Sequence, residues 1–408
     1  MSKPQIVAAI DIGTSKVVVL IGEIFPGDRL NILGVGQASS LGVRKGDILD
    51  FMSACNGAHA ALLMAEQNAR TQAEVAFLAQ SGAHLDGFAQ RAEVNVSASD
   101  NKVRPIDVQR LLAEARKKEL PTGRLAIHHI RNSFKLDGRA VADPQSQQGE
   151  KLELGFWTVT GDEAHLSNAI HLVNGYNGLE VKDIIVSSVS AANVVTPEME
   201  KKIGALVLDI GSGVTDFALY RDGHIVQTGV VPVGGDHLTN DLSLGLRISR
   251  KHAERVKLSF GQAIVDAQAR SEKVWMVGDK SVGDRYIPRL AICQILEARV
   301  EEMFSIVKKR LEHLGASLTP EDVAAGVILT GGTSRLPMIE RVAERVFGLP
   351  ARRATEPAWL TESLRGPEFS TAVGLLFFAL NAPGRNDAKN SPPKGDGLLN
   401  QLTRWFGV

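Results

Sequence analysis

Two short stretches carry the residue types from which a phosphate-and-cation site is made. The first, Ile10-Asp11-Ile12-Gly13-Thr14-Ser15-Lys16-Val17, returns almost two hundred residues later as Leu208-Asp209-Ile210-Gly211-Ser212-Gly213-Val214-Thr215. In each, an apolar run leads to an aspartate, then to a turn of glycines and small hydroxyl residues, then to a second apolar run. The flanking runs, residues 6–10 with 17–21 and 205–208 with 217–220, predict two β-hairpins. Glycine and small hydroxyl residues let a turn approach a phosphate closely and aim several N–H donors into one concavity. The aspartate cannot face the phosphate, because like charges repel. It is placed to hold Mg²⁺ through water, since that ion keeps much of its hydration shell. One such turn is an ordinary hairpin; two at domain-sized separation, facing each other, would clamp the β- and γ-phosphates of a nucleotide from both sides.

Other stretches could complete such a site. Gly326-Val327-Ile328-Leu329-Thr330-Gly331-Gly332-Thr333-Ser334-Arg335-Leu336-Pro337 predicts a buried strand, a Gly-Gly turn and a helix starting near Pro337. Its glycines would let backbone meet a flat ligand, and a helix start offers free N–H groups to an anion. Glu254 and Lys257 lie three apart on one face of a predicted helix over 249–260. They read either as a surface ion pair or as a platform for a nucleoside. His128-His129 resembles a metal pair, but neighbours on a strand point to opposite faces, so a structural role is the better reading.

The elements that must position these residues follow in order. Strands are expected at 5–24 (the hairpin), 31–38 and 74–80, with an Ala-rich helix over 51–68, which opens a mixed α/β unit. Residues 84 to about 160 read as a small inserted α+β unit, with strands at 92–98, 125–134 and 152–160 and an amphipathic helix over 105–118. A helix at 164–176 and a strand at 181–186 follow. A small-residue stretch from Ser187 to Asn193 then predicts a helix at a close crossing. After the second hairpin come helices at 238–245 and 249–260, strands at 274–277 and 285–288, a long helix over 292–314 and a final apolar helix over 370–380.

Composition narrows the class. Lys plus Arg and Asp plus Glu both total 46 in 408 residues, so the basic excess of a nucleic-acid binder is missing. Two cysteines in unlike contexts, Cys55 and Cys293, suit a reducing compartment and form neither a disulfide framework nor a metal knuckle. Met1 runs almost straight into a strand, with no signal peptide expected before it, and no apolar run reaches the ~18 residues of a membrane span. These features predict a cytoplasmic protein of two or more domains. Residues 381–397 are rich in Pro, Gly and Asn and predict a flexible linker. On a helix over 398–408, Leu398, Leu399, Leu402, Trp405 and Phe406 would share one face, as in an interfacial membrane anchor. Docking back onto the body is the other reading. So short a helix binds weakly alone, and stable attachment would need many copies together.

Two Asp-Ile-Gly hairpins, Val233-Gly234-Gly235-Asp236, the Glu254/Lys257 helix and the Thr330–Pro337 segment stand in an order that resembles the actin, Hsp70 and sugar-kinase superfamily. The insert in the first half, Ser81-Gly82-Ala83-His84, the continuation to Leu242 and the terminal helix resemble the FtsA family of bacterial cell-division proteins over nearly the whole chain. The resemblance implies an α/β, actin-like ATPase fold: two lobes of duplicated mixed-sheet domains, an inserted α+β subdomain in the first lobe and a C-terminal amphipathic helix. The first-lobe core would span 1–83, 163–196 and the closing helix 366–380, with the insert at 84–162. The second-lobe core would span 197–239 and 313–365, with an outer subdomain at 240–312.

It further implies ATP between the lobes, with Asp11 and Asp209 on Mg²⁺ as the catalytic and metal-binding acids. Gly13, Thr14, Ser15 and Lys16 with Gly211, Ser212, Gly213 and Thr215 would take the phosphates. Gly234, Gly235, Gly331, Gly332 and Ser334 would border the nucleotide, and Glu254, Lys257 and Arg335 the adenosine. The implied role is a polymer, at most a weak ATPase, on the cytoplasmic face of the inner membrane at the division site. It would tether the tubulin-like ring protein FtsZ and meet other division proteins. The FtsZ tail would dock on 240–312, where Arg285, Arg289 and Arg299 are candidates for its acidic residues. Two departures stand out. Asp143-Pro144-Gln145-Ser146-Gln147-Gln148-Gly149 differs from the family's Asn-Pro-x-Gly-Met. Ser187 and Ser188 stand where strong hydrolysers carry Gln or Glu to orient water, which predicts slow turnover. A pilus-assembly ATP-binding relative and a small-molecule kinase are the alternatives. The kinase would need a carboxylate base in the cleft, for which no motif is found.

Overall fold

Both halves of the chain build the same five-stranded sheet. In the first, Gln5–Ile12, Lys16–Phe25 and Arg29–Ser39 run antiparallel, and Val75–Gln80 and then Glu180–Val186 add in parallel beyond Gln5–Ile12. In the second, Ala205–Ile210, Thr215–Arg221 and His224–Val231 form the antiparallel part, with Val327–Thr330 and Ala351–Arg353 parallel beyond Ala205–Ile210. The repeated motif is therefore a repeat of topology, with each aspartate at the end of its sheet's central strand. The computed structural model describes residues 4–25, 29–117, 119–276, 283–381 and 404–406.

The central strands are runs of Val, Ile, Leu and Ala without polar alternation, and they are buried on both faces because helices cover the sheets. Phe51–Ala69 starts where the Asp50 carboxylate accepts from Ser53 N–H (3.2 Å) and ends at Arg70 in the left-handed region (φ 55°). The strand His224–Val231 is missing from the sequence reading. Its Gln227, Thr228 and Gly229 break the apolar run, yet Gln227 and Thr228 are buried. The helix expected near Pro337 runs over Ile339–Phe347, after a 3₁₀ turn at Gly332–Arg335.

The insert has its own sheet, with Lys151–Asp162 between Asp86–Asn95 and Arg124–Leu136, and a helix, Pro105–Arg116, packed on it. Its small core gathers Ala92, Leu111, Phe134, Leu152, Leu154 and Phe156. The fully buried Asp107 fixes the helix start by accepting from Arg104 N–H and from both the N–H and the hydroxyl of Ser97 (2.7–3.0 Å). His128 and His129 point apart as expected. His128 Nε2 accepts from Val186 N–H (3.0 Å), while His129 Nδ1 meets Thr158 Oγ1 (3.0 Å). The insert also touches the second lobe: Trp157, buried, donates its indole N–H to Thr228 Oγ1 (3.0 Å), and Arg310 pairs with Asp86 (2.9 Å).

The chain end differs from expectation. Arg404–Phe406 is a short strand, parallel to His128–Ile130 on the outer edge of the insert's sheet. An unpaired sheet edge offers backbone partners to any extended segment within reach. The rest of the expected terminal helix, with Leu398, Leu399 and Leu402, and nearly all of the 381–397 linker lie outside the described residues. No described helix is long and apolar enough to cross a membrane.

The close crossing expected at Ser187–Asn193 is present. The helix Ser187–Val195 crosses Ser370–Leu380 so tightly that a Cβ on Gly374 would lie 2.1 Å from the Ser190 carbonyl oxygen. Ser190 donates to the Thr371 carbonyl (2.8 Å), and the Thr371 hydroxyl reaches Asp209 (2.8 Å), so this crossing sets the back of the interlobe site. Gly374→Ala must separate the two helices and is expected to cost about 3 kcal/mol, the upper end for overpacking. A urea midpoint equal to the parent's would contradict it.

Candidate functional site

The two hairpin turns close alike and face each other. Gly13 N–H donates to the Lys16 carbonyl (3.0 Å), and Gly211 N–H to that of Val214 (2.9 Å). They touch across the gap between the lobes: a Cβ on Gly213 would lie 2.4 Å from Thr14 Oγ1, so only glycine allows the approach. Asp11 and Asp209 both line the cavity left beside this contact, of about 780 Å³, a volume typical of small-molecule sites.

Most of the residues singled out in the sequence meet there. Gly13, Thr14, Ser15 and Lys16 line the cavity from one lobe. Gly211, Ser212, Gly213, Gly235, Glu254, Lys257, Gly331, Gly332 and Arg335 line it from the other. Thr215, Gly234 and Ser334 stand behind the wall. Thr215, fully buried, donates to the Val233 carbonyl (2.8 Å). Gly234 opens the helix Gly235–Leu246, with its N–H on His237 Nδ1 (3.2 Å), and Ser334 ties back to the Gly331 carbonyl (2.7 Å). Glu254 and Lys257 are an ion pair (2.8 Å) and also part of the wall, so the two readings are compatible. Lys257 holds the Gly235 carbonyl (3.2 Å) and the Thr239 hydroxyl (2.9 Å), and Thr239 donates to Glu254.

Wall residues that the sequence did not single out for the site include Ser81, Asp216, Arg250, Lys251, Glu368 and Thr371. Asp216 had a signal, since it pairs directly with Asp209 across the second hairpin. It is a further carboxylate in the cleft, where the sequence offered no motif for a carboxylate base. Glu368 had no local signal. It takes a two-pronged ion pair from Arg335 (both 3.0 Å), which engages that guanidinium. Of the outer arginines, Arg299 is held by Asp241 and Glu302, Arg289 by Glu272 (2.7 Å), and Arg285 donates to the Leu246 carbonyl. Each therefore already has a partner within the chain.

Three aspartates are buried in a cavity whose wall also presents Lys16, Arg250, Lys251, Lys257 and Arg335. Burial, and then the charge of Asp209, push the Asp11 carboxyl up to about 7, with Lys16 opposing. Burial raises Asp209 to about 6 against the Thr371 hydroxyl and Lys16. Asp216 is raised well above the carboxylate range by burial and by both neighbours, with the Ser81 hydroxyl opposing. No three carboxylate or imidazole groups among the described residues converge to hold a metal unaided. A cation here would be bound largely through water and ligand oxygens, as Mg²⁺ is. Thr14 Oγ1 is buried without a hydrogen-bond partner, as fits a group awaiting a ligand oxygen.

Between about pH 4 and pH 6–7 the folded protein keeps protons on Asp11 and Asp209 that the unfolded chain has released. Stability from these groups therefore falls as pH rises through that window. Without nucleotide, Asp209→Asn is expected to melt above the parent at pH 7.5, by a margin that shrinks towards pH 5. A lower melting temperature at pH 7.5 would contradict the assignment.

The family model "Cell division protein FtsA" matches residues 206–374, and "SHS2 domain inserted in FTSA" matches residues 82–160. The chain is 32% identical to the cell division protein FtsA of Pseudomonas aeruginosa, over 98% of this chain and 97% of the relative. It is also 32% identical to that of Bacillus subtilis, over 93% and 84%. Among solved structures it is similar to a PilM-PilN type IV pilus biogenesis complex (TM-score 0.62, 17% identity, covering 92% of this chain and 98% of that one). Spiroplasma citri MreB5 bound to AMPPNP is a second (TM-score 0.50, 17% identity, 93% and 96%). These likenesses make the fold actin-like, with an SHS2 insert. Given the identity to curated relatives along nearly the whole of both sequences, the chain belongs to the FtsA family of cell-division proteins.

Proposed function

We propose that this chain is an ATP-binding cell-division protein that polymerises on the cytoplasmic face of the inner membrane, tethers FtsZ there and turns ATP over slowly. The observation that carries the reading is the pair of like hairpin turns in contact at Thr14 and Gly213, with Asp11 and Asp209 on one cavity. The turns at 12–16 and 211–215 would donate N–H groups to the phosphates, joined by the Thr14 hydroxyl and the Lys16 ammonium. Asp11 and Asp209 would hold Mg²⁺ through water. When bound, that ion supplies positive charge to the phosphates. Glu254, Lys257 and Arg335 would border the adenosine, with Gly235, Gly331 and Gly332 giving room for its approach. The AMPPNP carried by the MreB5 relative supports a nucleotide in this kind of cleft. Ser187, on the cavity wall, offers a weaker hold on water than the side chains of strong hydrolysers.

The FtsZ tail would dock on the outer subdomain. There the hairpin of Lys273–Met276 and Arg285–Pro288 exposes Trp275 and Tyr286 edge to face (4.8 Å between rings). Aromatic side chains of this kind anchor interfaces. The engaged arginines would contribute only by exchanging partners. At the chain end, Leu398, Leu399, Leu402, Trp405 and Phe406 would turn to lipid as one face of a helix. The extended Arg404–Phe406 would be the alternative held off the membrane.

Two measurements test this reading. Asp209→Ala should weaken Mg²⁺-dependent ATP binding at least tenfold while leaving the fold intact by circular dichroism, and unchanged affinity would remove the site. Deleting residues 398–408 should abolish co-sedimentation with anionic vesicles but keep ATP binding, and retained sedimentation would remove the anchor.

A further inference from the structure

Ser81 lines the interlobe cavity, but His84, three residues on, does not. The chain leaves the first-lobe core for the insert after Val75–Gln80 and comes back at the end of Lys151–Asp162. His84 stands on the way out, and His165, in the helix Glu163–His171, on the way back. Their rings stack, 4.8 Å between centroids and 7° from parallel. The His84 side chain is 5% exposed, and among the described residues neither of its ring nitrogens has a hydrogen-bond partner. Asp47 Oδ1, likewise buried and unpartnered, lies 3.5 Å from His84 Nδ1 and 3.7 Å from His165 Nε2. Such spacings are too long for firm hydrogen bonds, yet they set one carboxylate against both rings.

The other charges nearby are already engaged. The Asp162 carboxylate accepts from the N–H groups of Ala164 and His165 (3.0 and 3.2 Å) and from His165 Nδ1 (2.8 Å). An ionised carboxylate only accepts, so the His165 proton sits on Nδ1 and Nε2 is left facing Asp47. Arg124 directs its guanidinium to the carbonyls of His84 and Thr160 and to the Thr160 hydroxyl (2.8–3.0 Å). Asp47 itself belongs to the small hairpin of Val43–Arg44 and Asp47–Ile48. In its turn, Gly46 lines the interlobe cavity and sits so close to the outgoing chain that a Cβ on it would lie 2.4 Å from the Ser81 carbonyl oxygen. One short hairpin therefore touches both the cavity and the place where the insert is joined.

We propose that the His84–His165 stack and Asp47 form a proton-operated joint between the first lobe and the insert. It is closed while His84 is neutral. A proton on His84 opens it and releases the Gly46 turn from the cavity wall. That proton places charge where neither water nor a close acceptor meets it, face to face with a second imidazole. Burial, and then His165, pull the His84 imidazole below its ordinary 6.5, with Asp47 opposing. In the open joint His84 meets water and binds the proton more readily, so the closed form loses stability as pH falls below about 6.5. Asp11 and Asp209 act in the opposite sense, since their contribution falls as pH rises. Position and sign therefore tell the two effects apart.

Amide hydrogen exchange on the full chain, corrected for the intrinsic effect of pH and compared at pH 7.5 and pH 5.0, tests the joint. Protection at residues 43–48, 82–86 and 162–166 should fall about tenfold at the lower pH, the equivalent of one unit of displaced pKa. The insert's own helix, Pro105–Arg116, should keep its protection. His84→Phe and His84→Gln, which carry no titrating ring, should show no such fall. Asp47→Asn, which removes the charge that favours the proton in the closed joint, should enlarge it. Equal protection at both pH values in the parent would overturn the proposal, as would a fall that persists in a folded His84 variant or that Asp47→Asn leaves unchanged. A fall shared equally by Pro105–Arg116 would also overturn it, because the insert would then be unfolding rather than shifting. Should neither His84 variant fold, Asp47→Asn decides.

Discussion

The structure is organised around electrostatic repulsion that it contains but does not relieve. Three carboxylates, Asp11, Asp209 and Asp216, face one buried space, and Lys16 is the cation set against the first two. Left alone, such groups would draw in water or push the lobes apart. The fold resists through rigid supports on every side. Each sheet ends a central strand at its aspartate, Thr371 ties Asp209 to the closing helix, and Ser81 ties Asp216 to the opposite lobe. The helix crossing at Gly374 holds those supports in register. Carboxylates held this close are preorganised for a ligand that carries a cation with it.

Duplication explains how one chain builds this arrangement. The same strand order occurs twice, and the same four-residue turn closes each hairpin, so two like glycine turns are presented face to face. Symmetry would have given two equivalent half-sites. The replacement of an apolar residue at position 18 by an acid at position 216 makes them unequal, and the remaining asymmetry lies in what packs behind them. The closing helix meets the second-lobe carboxylate, while Lys16 reaches in from the first lobe.

What could be read in the sequence was what is local. The hairpins, the glycine turns, the insert and the helix carrying Glu254 and Lys257 each announce themselves within a dozen residues, and the structure places them together. What escaped was set by contacts distant along the chain. Ser81 meets Asp216 across 135 positions, and Thr371 meets Asp209 across 162. The strand His224–Val231 hid because its buried Gln227 and Thr228 are polar. Gln227 donates to the Leu314 carbonyl, and Thr228 accepts from Trp157. The terminal segment was read by helical periodicity, but in Arg404–Phe406 backbone pairing with an open sheet edge outweighs that pattern.

The insert has a mechanical consequence. It is covalently part of the first lobe, yet Trp157 and Asp86 fasten it to Thr228 and Arg310 of the second. The lobes are thus joined through the insert as well as at the contact of the two turns. Any widening of the cleft must pivot about that fixture or tear it open. Whatever grips the insert from outside therefore holds a lever that acts on the facing turns.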